Sequence, residues 1–249
     1  MTAKISVKNL NVSYGDYVVM SGISFDVQQG EVFLVIGRSG CGKSSLLKYL
    51  MGLRSVDSGT IFYDGKDITS EVAHDFYGKK IGVLYQSGAL WSSMTLAENV
   101  ALPLEMYTPL DKDEINEIAT LKLSLVGLKG FENFYPSQIS GGMKKRAGLA
   151  RAIALDPEIL FFDEPSAGLD PLSAKRLDDL IIELRESFGM TIVVVTHELA
   201  SIFAIGTRAI YLDIDTKTAT ALGSPRELLE TSRDKNVMAF LTRGTKEIE

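Results

Sequence analysis

The octapeptide Gly37-Arg38-Ser39-Gly40-Cys41-Gly42-Lys43-Ser44 follows the pattern G-x-x-x-x-G-K-[ST] and constrains this chain more than any other feature. The run before it, Glu31–Ile36, is short and almost continuously apolar, as in a strand buried on both faces. The run after it, Gly42–Leu53, places Leu46, Leu47, Leu50 and Leu53 at helical spacing. Strand, glycine loop, helix is the context the pattern requires. The glycines let successive backbone N–H groups turn toward phosphate oxygens, and the helix start adds the positive end of its dipole. Lys43 neutralises the outer phosphates and the Ser44 hydroxyl is suited to ligate Mg²⁺. The competing reading is a glycine-rich turn with no ligand, and the flanking strand and helix argue against it.

A second motif lies far downstream. Ile159-Leu160-Phe161-Phe162-Asp163-Glu164 is an apolar strand ending in two acids. Alternation along a strand sends the two carboxylates apart, so they take different jobs. Asp163 is the candidate to hold Mg²⁺, and Glu164 the candidate to polarise an attacking water as general base. By itself this motif also reads as a solvated acidic turn; the phosphate loop upstream tips the balance.

The formal net charge of −6 argues against a protein that lives on nucleic acid, and 249 residues suffice for one large domain with a real core. Cys41 is the single cysteine, so no internal disulfide forms and a reducing compartment fits. The alternating residues from Met1 to Ser13 lack the apolar core of a signal peptide. The longest apolar runs, Val32–Ile36, Ile159–Phe162 and Ile192–Val195, are strand-sized, well short of the ~20 residues that span a bilayer. The expectation is a chain soluble by itself, with any membrane role exercised through a partner.

Ile5–Tyr14 and Tyr17–Val27 alternate like half-exposed strands. The block from Ser87 to Asp156 reads mostly helical. Thr95 with Glu98 is a capping box opening a helix that Pro103 is expected to interrupt; Asp111 with Glu114 marks a second start, with Gly127 a stop. Ser140-Gly141-Gly142 opens a third, with Ala147, Ala150 and Ala154 on one face. Strands and helices then alternate: Glu158–Phe162, Leu172–Phe188, Thr191–Thr196, Leu199–Ile205 and Ala209–Leu212, the pattern of a parallel sheet covered by helices. Asp215–Lys217 reads as a hairpin turn. Pro225–Leu241 is expected to be one amphipathic helix followed by a charged end.

With these motifs in this order the chain resembles an ATP-binding cassette (ABC) ATPase, the motor subunit of ABC transporters, over nearly its whole length. Ser140-Gly141-Gly142-Met143-Lys144 resembles that family's signature motif. Gln86 matches its Q-loop glutamine, Ser166-Ala167-Gly168-Leu169-Asp170 its D-loop, and His197 its switch histidine. Tyr14 stands where the family's adenine-stacking aromatic stands, with Tyr17 close enough to stack instead. The resemblance implies ATP and Mg²⁺ as cofactors. ATP would be held by Tyr14, Gly37, Arg38, Ser39, Gly40, Cys41, Gly42, Lys43, Ser44 and Ser45, and Mg²⁺ by Ser44, Gln86 and Asp163. Glu164, His197 and Gln86 would be catalytic. Ser140, Gly141, Gly142 and Met143 would reach the ATP of a partner chain, with the D-loop at Gly168, Leu169 and Asp170. Met143 departs from the commonest signature, which has Gln there; a polar contact near the nucleotide is the part put in question. Lys144, Lys145 and Arg146 read as a solvated helix face rather than a nucleic-acid patch, and Cys41 as a small packed residue rather than a redox switch.

The resemblance also implies architecture. It gives an α/β P-loop NTPase (RecA-like) core with a mostly parallel sheet over residues 1–86 and 157–224, including an N-terminal antiparallel β subdomain. A helical signature subdomain is inserted at 87–156, and a helical tail occupies 225–249. The segment Gly82–Trp91, followed by Met94-Thr95 and Glu98-Asn99-Val100, resembles the ATPases of Mce/Mla-type lipid transporters. The partners so implied are a second copy of the chain and a transmembrane permease, with lipid-binding Mce-type subunits, on the cytoplasmic face of a bacterial inner membrane. Leu90, Trp91 and Met94 are candidates to line the permease groove, or else core residues of the helical block. Two alternatives stand beside this reading. One is the ATPase of an amino-acid or other small-solute importer; the other is a non-transport ABC ATPase acting on nucleic acid.

Overall fold

The computed structural model describes residues 3–15, 17–69 and 80–244. The chain divides into two compact units, Met1–Ala73 with Leu184–Glu249, and His74–Glu183.

The first unit holds an antiparallel sheet in the order β2-β1-β4-β5, with β1 at Ala3–Tyr14, β2 at Tyr17–Gln28, β4 at Thr60–Tyr63 and β5 at Lys66–Asp67. Ile5, Val7, Leu10 and Val12 of β1 are all buried. Val7 and Leu10 are three residues apart, so strict alternation would send one of them to solvent. Asn9, in the left-handed conformation at φ 48°, absorbs the extra residue at a register shift and restores the buried face.

The same unit carries β3 (Val32–Gly37) between β8 (Thr191–Val195) and β9 (Arg208–Asp213), both parallel to it, with β10 (Thr218–Gly223) antiparallel to β9. Every residue of β3 and β8 is buried, as their continuous apolar runs require. Phe33 of β3 stacks on Phe25 of β2 at 5.1 Å between centroids. The helix α1 (Lys43–Leu50) follows β3 directly and buries Leu46, Leu47 and Leu50; it ends three residues short of Leu53, which is exposed.

In the second unit β6 (Ile81–Leu84) runs parallel to β7 (Ile159–Asp163), in register from Ile81 opposite Ile159 to Leu84 opposite Phe162. Three helices follow: α2 (Leu96–Tyr107) and α3 (Lys112–Leu125) pack on each other and on α4 (Gly141–Ala152), and α4 packs against β6. The expected capping box at Thr95 forms, Thr95 accepting from the Glu98 N–H, and the expected helix start at Asp111 is also capped, Asp111 accepting from the N–H groups of Asp113 and Glu114. Each such cap stabilises its helix by about 1 kcal/mol. Lys122 of α3 is buried and ion-paired with Asp156. The helix α5 spans Pro171–Phe188 and α6 spans Leu199–Ile205.

Three sequence expectations are corrected. Pro103 does not interrupt α2, which continues to Tyr107. A proline inside a helix costs about 3 kcal/mol; burial of Val100, Ala101 and Leu104 on one face offsets it. Ala154 is buried as expected but lies beyond the end of α4. The tail is two helices, α7 (Pro225–Thr231) and α8 (Lys235–Leu241), because Ser232 is extended and Asp234 caps a new start, accepting from the N–H groups of Asn236 and Val237. The charged end beyond residue 244 lies outside the described residues.

Candidate functional site

In the first unit the phosphate loop leaves β3 at Gly37. A Cβ there would sit 2.4 Å from the Leu212 carbonyl oxygen and 2.9 Å from the Cys41 sulfur, so only glycine fits against β9. Gly40 and Gly42 have φ of 83° and 100°, the left-handed region that glycine adopts freely. Gly42 is the N-cap of α1 and offers no side chain to the first-turn N–H groups. Lys43 is buried, and its ammonium donates to the carbonyl oxygens of Gly37 at 2.9 Å and Arg38 at 3.1 Å, spanning the loop. This cradle of inward backbone, helix start and cation suits a polyphosphate. Ser44 is exposed beside it and Ser45 half-buried. Among the described residues no group of three or more His, Cys, Asp or Glu forms a metal site. The Ser44 hydroxyl is an oxygen donor of the kind Mg²⁺ prefers.

Val35 of β3 lies opposite Val195 of β8. Two residues on, Gly37 and His197 leave the same ends of adjacent parallel strands, where α/β sheets bind ligands. His197 is exposed, with Nε2 3.6 Å from the Glu198 carboxylate. Arg38 reaches Asp215 at 3.8 Å; Asp213 accepts from the N–H groups of Asp215 and Thr216, and from the Asn236 amide of α8 at 2.7 Å. Cys41 is buried and burial pushes its thiol pKa up, consistent with a packing role.

Tyr14 is half in solvent. Its hydroxyl is 2.9 Å from the Ser45 hydroxyl, and the Arg54 guanidinium lies 3.9 Å over its ring. The Ser45 hydrogen bond, helped by Lys48 and Arg54 against the effect of burial, holds the phenol below its ordinary pKa. Tyr17 is more exposed, with Lys217 4.8 Å over its ring.

In the second unit β6 ends at Leu84, and Gln86 is exposed two residues beyond. The paired strand β7 ends at Asp163. Glu164 turns off it in the left-handed conformation, φ 50°. That turn, not strand alternation, sets the direction of Glu164. Burial raises the Tyr85 phenol pKa, Arg151 opposing and Asp163 adding to it. Arg151 donates to the carbonyl oxygens of Ala89 at 2.8 Å and Gly88 at 3.1 Å, fixing the segment after Gln86 to α4.

Ser140 caps α4, its Oγ accepting from the Met143 N–H at 3.3 Å, and the first turn carries no acidic residue. A Cβ on Gly142 would lie 3.1 Å from Ser173 Oγ. Asp170 accepts from the N–H groups of Leu172 and Ser173, bonds to Ser173 lowering its pKa; Gly168 precedes it at φ 73° and Leu169 donates its N–H to Ser166. The expected solvated face of Lys144, Lys145 and Arg146 is overturned at two of its three positions. Lys145 is buried against the Glu164–Ala167 turn, and Arg146 donates to the carbonyl oxygens of Val126 and Gly127 past the end of α3. Helical spacing held the signal for Lys145, which shares a face with the buried Leu149 and Ala152.

Asn99 is fully buried. Its amide donates to the carbonyl oxygens of Trp91, Met94 and Thr95 and its Oδ1 accepts from the Trp91 N–H at 2.7 Å. The loop so held presents Trp91 61% exposed, with Leu90 and Met94 half-buried; none of the three is a core residue.

A family profile described as ABC transporter matches residues 20–167. The chain belongs to the ABC transporter family. As an ABC ATPase cassette it binds and hydrolyses ATP with Mg²⁺ and serves as the ATPase of a transporter. It is 40% identical over 239 residues to the intermembrane phospholipid transport system ATP-binding protein MlaF of Haemophilus influenzae, covering 95% of this chain and 89% of that one. It is 41% identical over 243 residues to the probable ribonucleotide transport ATP-binding protein mkl of Mycobacterium leprae, covering 97% and 69%. Among solved structures it matches the ATP-binding cassette MJ0796 in a dimeric post-hydrolysis state bound to ADP and Pi. There the TM-score is 0.81, with 28% identity, over 88% of this chain and 98% of that one. The fold is thus that of the ABC cassettes, and no described helix is long and apolar enough to cross a membrane.

Proposed function

We propose that this ABC ATPase drives phospholipid movement through an Mce/Mla-type transporter, as a homodimer bound to a permease on the cytoplasmic face of a bacterial inner membrane. The 40% identity to MlaF over 95% of the chain carries the lipid reading, and the Ser140–Met143 signature agrees with it.

The residue roles follow motif by motif. Lys43 and the N–H groups from Gly37 to Ser45 bind and orient the phosphates, and Tyr14 takes the adenine on the ring face opposite Arg54. Ser44, Asp163 and Gln86 would hold Mg²⁺, which supplies charge neutralisation when bound. Glu164 accepts the proton of the attacking water, and His197 contacts the terminal phosphate. Ser140, Gly141, Gly142 and Met143 serve the nucleotide of the partner chain, beside the D-loop at Gly168–Asp170. The shared strand-end position of Gly37 and His197 supports the hydrolytic assignment. The exposed Trp91, with Leu90 and Met94, is the surface offered to the permease. Residues 87–156 act as the helical signature subdomain and 225–249 as the tail.

The relative named for ribonucleotide transport favours a second reading, an importer of small solutes. Purifying the native complex in detergent and identifying its subunits and bound molecules by mass spectrometry separates the two. Mce-type subunits with bound phospholipid support the lipid reading; an unrelated permease with a soluble-solute binding protein overturns it.

A further inference from the structure

Lys145 is 6% exposed, and lysine is rarely so buried without partners. Its ammonium donates to three carbonyl oxygens of one turn: Ala167 at 2.5 Å, Pro165 at 2.7 Å and Glu164 at 3.4 Å. Three donors meet three acceptors, and the Glu164 carboxylate adds a favourable charge interaction with the ammonium. That turn begins with the left-handed Glu164, a conformation that non-glycine residues hold only where their surroundings impose it. The same stretch meets α4 again further along, where Ser173 crowds Gly142. The helix that begins with the signature is therefore fastened to the turn bearing Glu164 through the Lys145 ammonium, and it lies close to Ser173 on the helix that follows that turn.

We propose that Lys145 is a positioning residue that sets the backbone of Glu164 from the signature helix, so that engagement of the helix start at Ser140–Gly142 governs the aim of the carboxylate. The inference rests on the proposed roles of Glu164 as base and of the signature as a nucleotide contact. Within a dimer it links the two sites: the helix that meets one nucleotide holds the base that serves the other. Cooperativity between the sites then runs through an ammonium and three carbonyls of a single chain.

The test uses the assembled transporter with Lys145→Met, which keeps the stem and removes the donors, and Lys145→Arg, which restores donors. ATP affinity is measured by calorimetry in a Glu164→Gln background, and steady-state hydrolysis in the native background. Expected for Lys145→Met is a kcat lowered about tenfold or more, since small displacements of a reacting group cost orders of magnitude. KM and ATP affinity should stay within about threefold, an effect confined to the transition state. The Hill coefficient should fall toward one, and Lys145→Arg should recover most of the kcat. Unchanged kcat and Hill coefficient in Lys145→Met would overturn the proposal. So would a loss of kcat matched by an equal loss of affinity and melting temperature. If Lys145→Met does not fold, Lys145→Arg decides: native kcat with a native Hill coefficient supports the proposal, and loss of ATP affinity in that variant overturns it. Near-native turnover in Glu164→Gln alone would instead sink the base assignment, whatever Lys145 does.

Discussion

Gly148 rests directly on the main chain of Gly88: a Cβ on Gly148 would lie 2.9 Å from the Gly88 carbonyl oxygen and 3.1 Å from its Cα. The segment after Gln86 thus lies against the middle of the signature helix, and Arg151 holds it there from one turn further along. Gly148→Ala must push this segment outward. Overpacking of this kind costs about 1–3 kcal/mol. The expected result is a melting temperature lower by about 2–10 °C, read by thermal denaturation. Turnover in the assembled transporter should fall more than ATP affinity does, because the displaced segment directly follows Gln86, proposed above to act in hydrolysis.

Lys43→Ala removes the cation that spans the phosphate loop. A charge-assisted contact contributes about 1.5–3 kcal/mol, so ATP should bind roughly 10- to 150-fold more weakly. Undiminished affinity in a calorimetric titration would end the assignment of this loop as the nucleotide site.

Glu164→Gln keeps side-chain size and loses the carboxylate proposed as base. ATP binding should persist while turnover drops by about 10²-fold or more. The assembled transporter is the right setting for the measurement, and near-normal steady-state hydrolysis there would move the role to another residue.

The proposed sharing of each ATP between two chains makes a distinctive prediction for mixtures. Lys43→Ala and Ser140→Arg chains, each in a Glu164→Gln background, are defective alone. In a mixed dimer one site collects both defects and the other neither. The mixture should trap ATP in a closed dimer more than either chain by itself, measured by retention of labelled nucleotide through gel filtration. No gain on mixing would mean the site lies within one chain.

Much of this molecule could be read from local chemistry. The phosphate loop declares itself because backbone turns of this kind need glycine at Gly37, Gly40 and Gly42, and the structure supplies the reason at each. Helix starts at Asp111, Thr95 and Ser140 were equally legible, since a cap is a contact between residues two or three apart. What escaped was set by distant partners. The burial of Lys145 depends on carbonyls some 20 residues later in the chain. Pro103 reads as a break until the buried face of α2 is seen to outweigh it, and the tail reads as one helix until Asp234 is seen to cap a second. The hairpin of β4 and β5 carries its own signal, since Asp64-Gly65 is a turn dipeptide that sequence inspection can find.

Asn99 has a consequence for how this protein meets other molecules. One buried amide ties both ends of the loop from Trp91 to Thr95, so the indole is offered on a backbone that is already ordered. Association with a flexible surface loses about 0.5–1.5 kcal/mol of entropy for each side chain it immobilises. Here the backbone beneath the indole is already ordered by Asn99, so only the side chain itself has still to be immobilised. A partner arriving at Trp91 meets a firm handle rather than a loop to be tamed, and a pull on the indole is delivered through Asn99 to the first turn of α2 without slack.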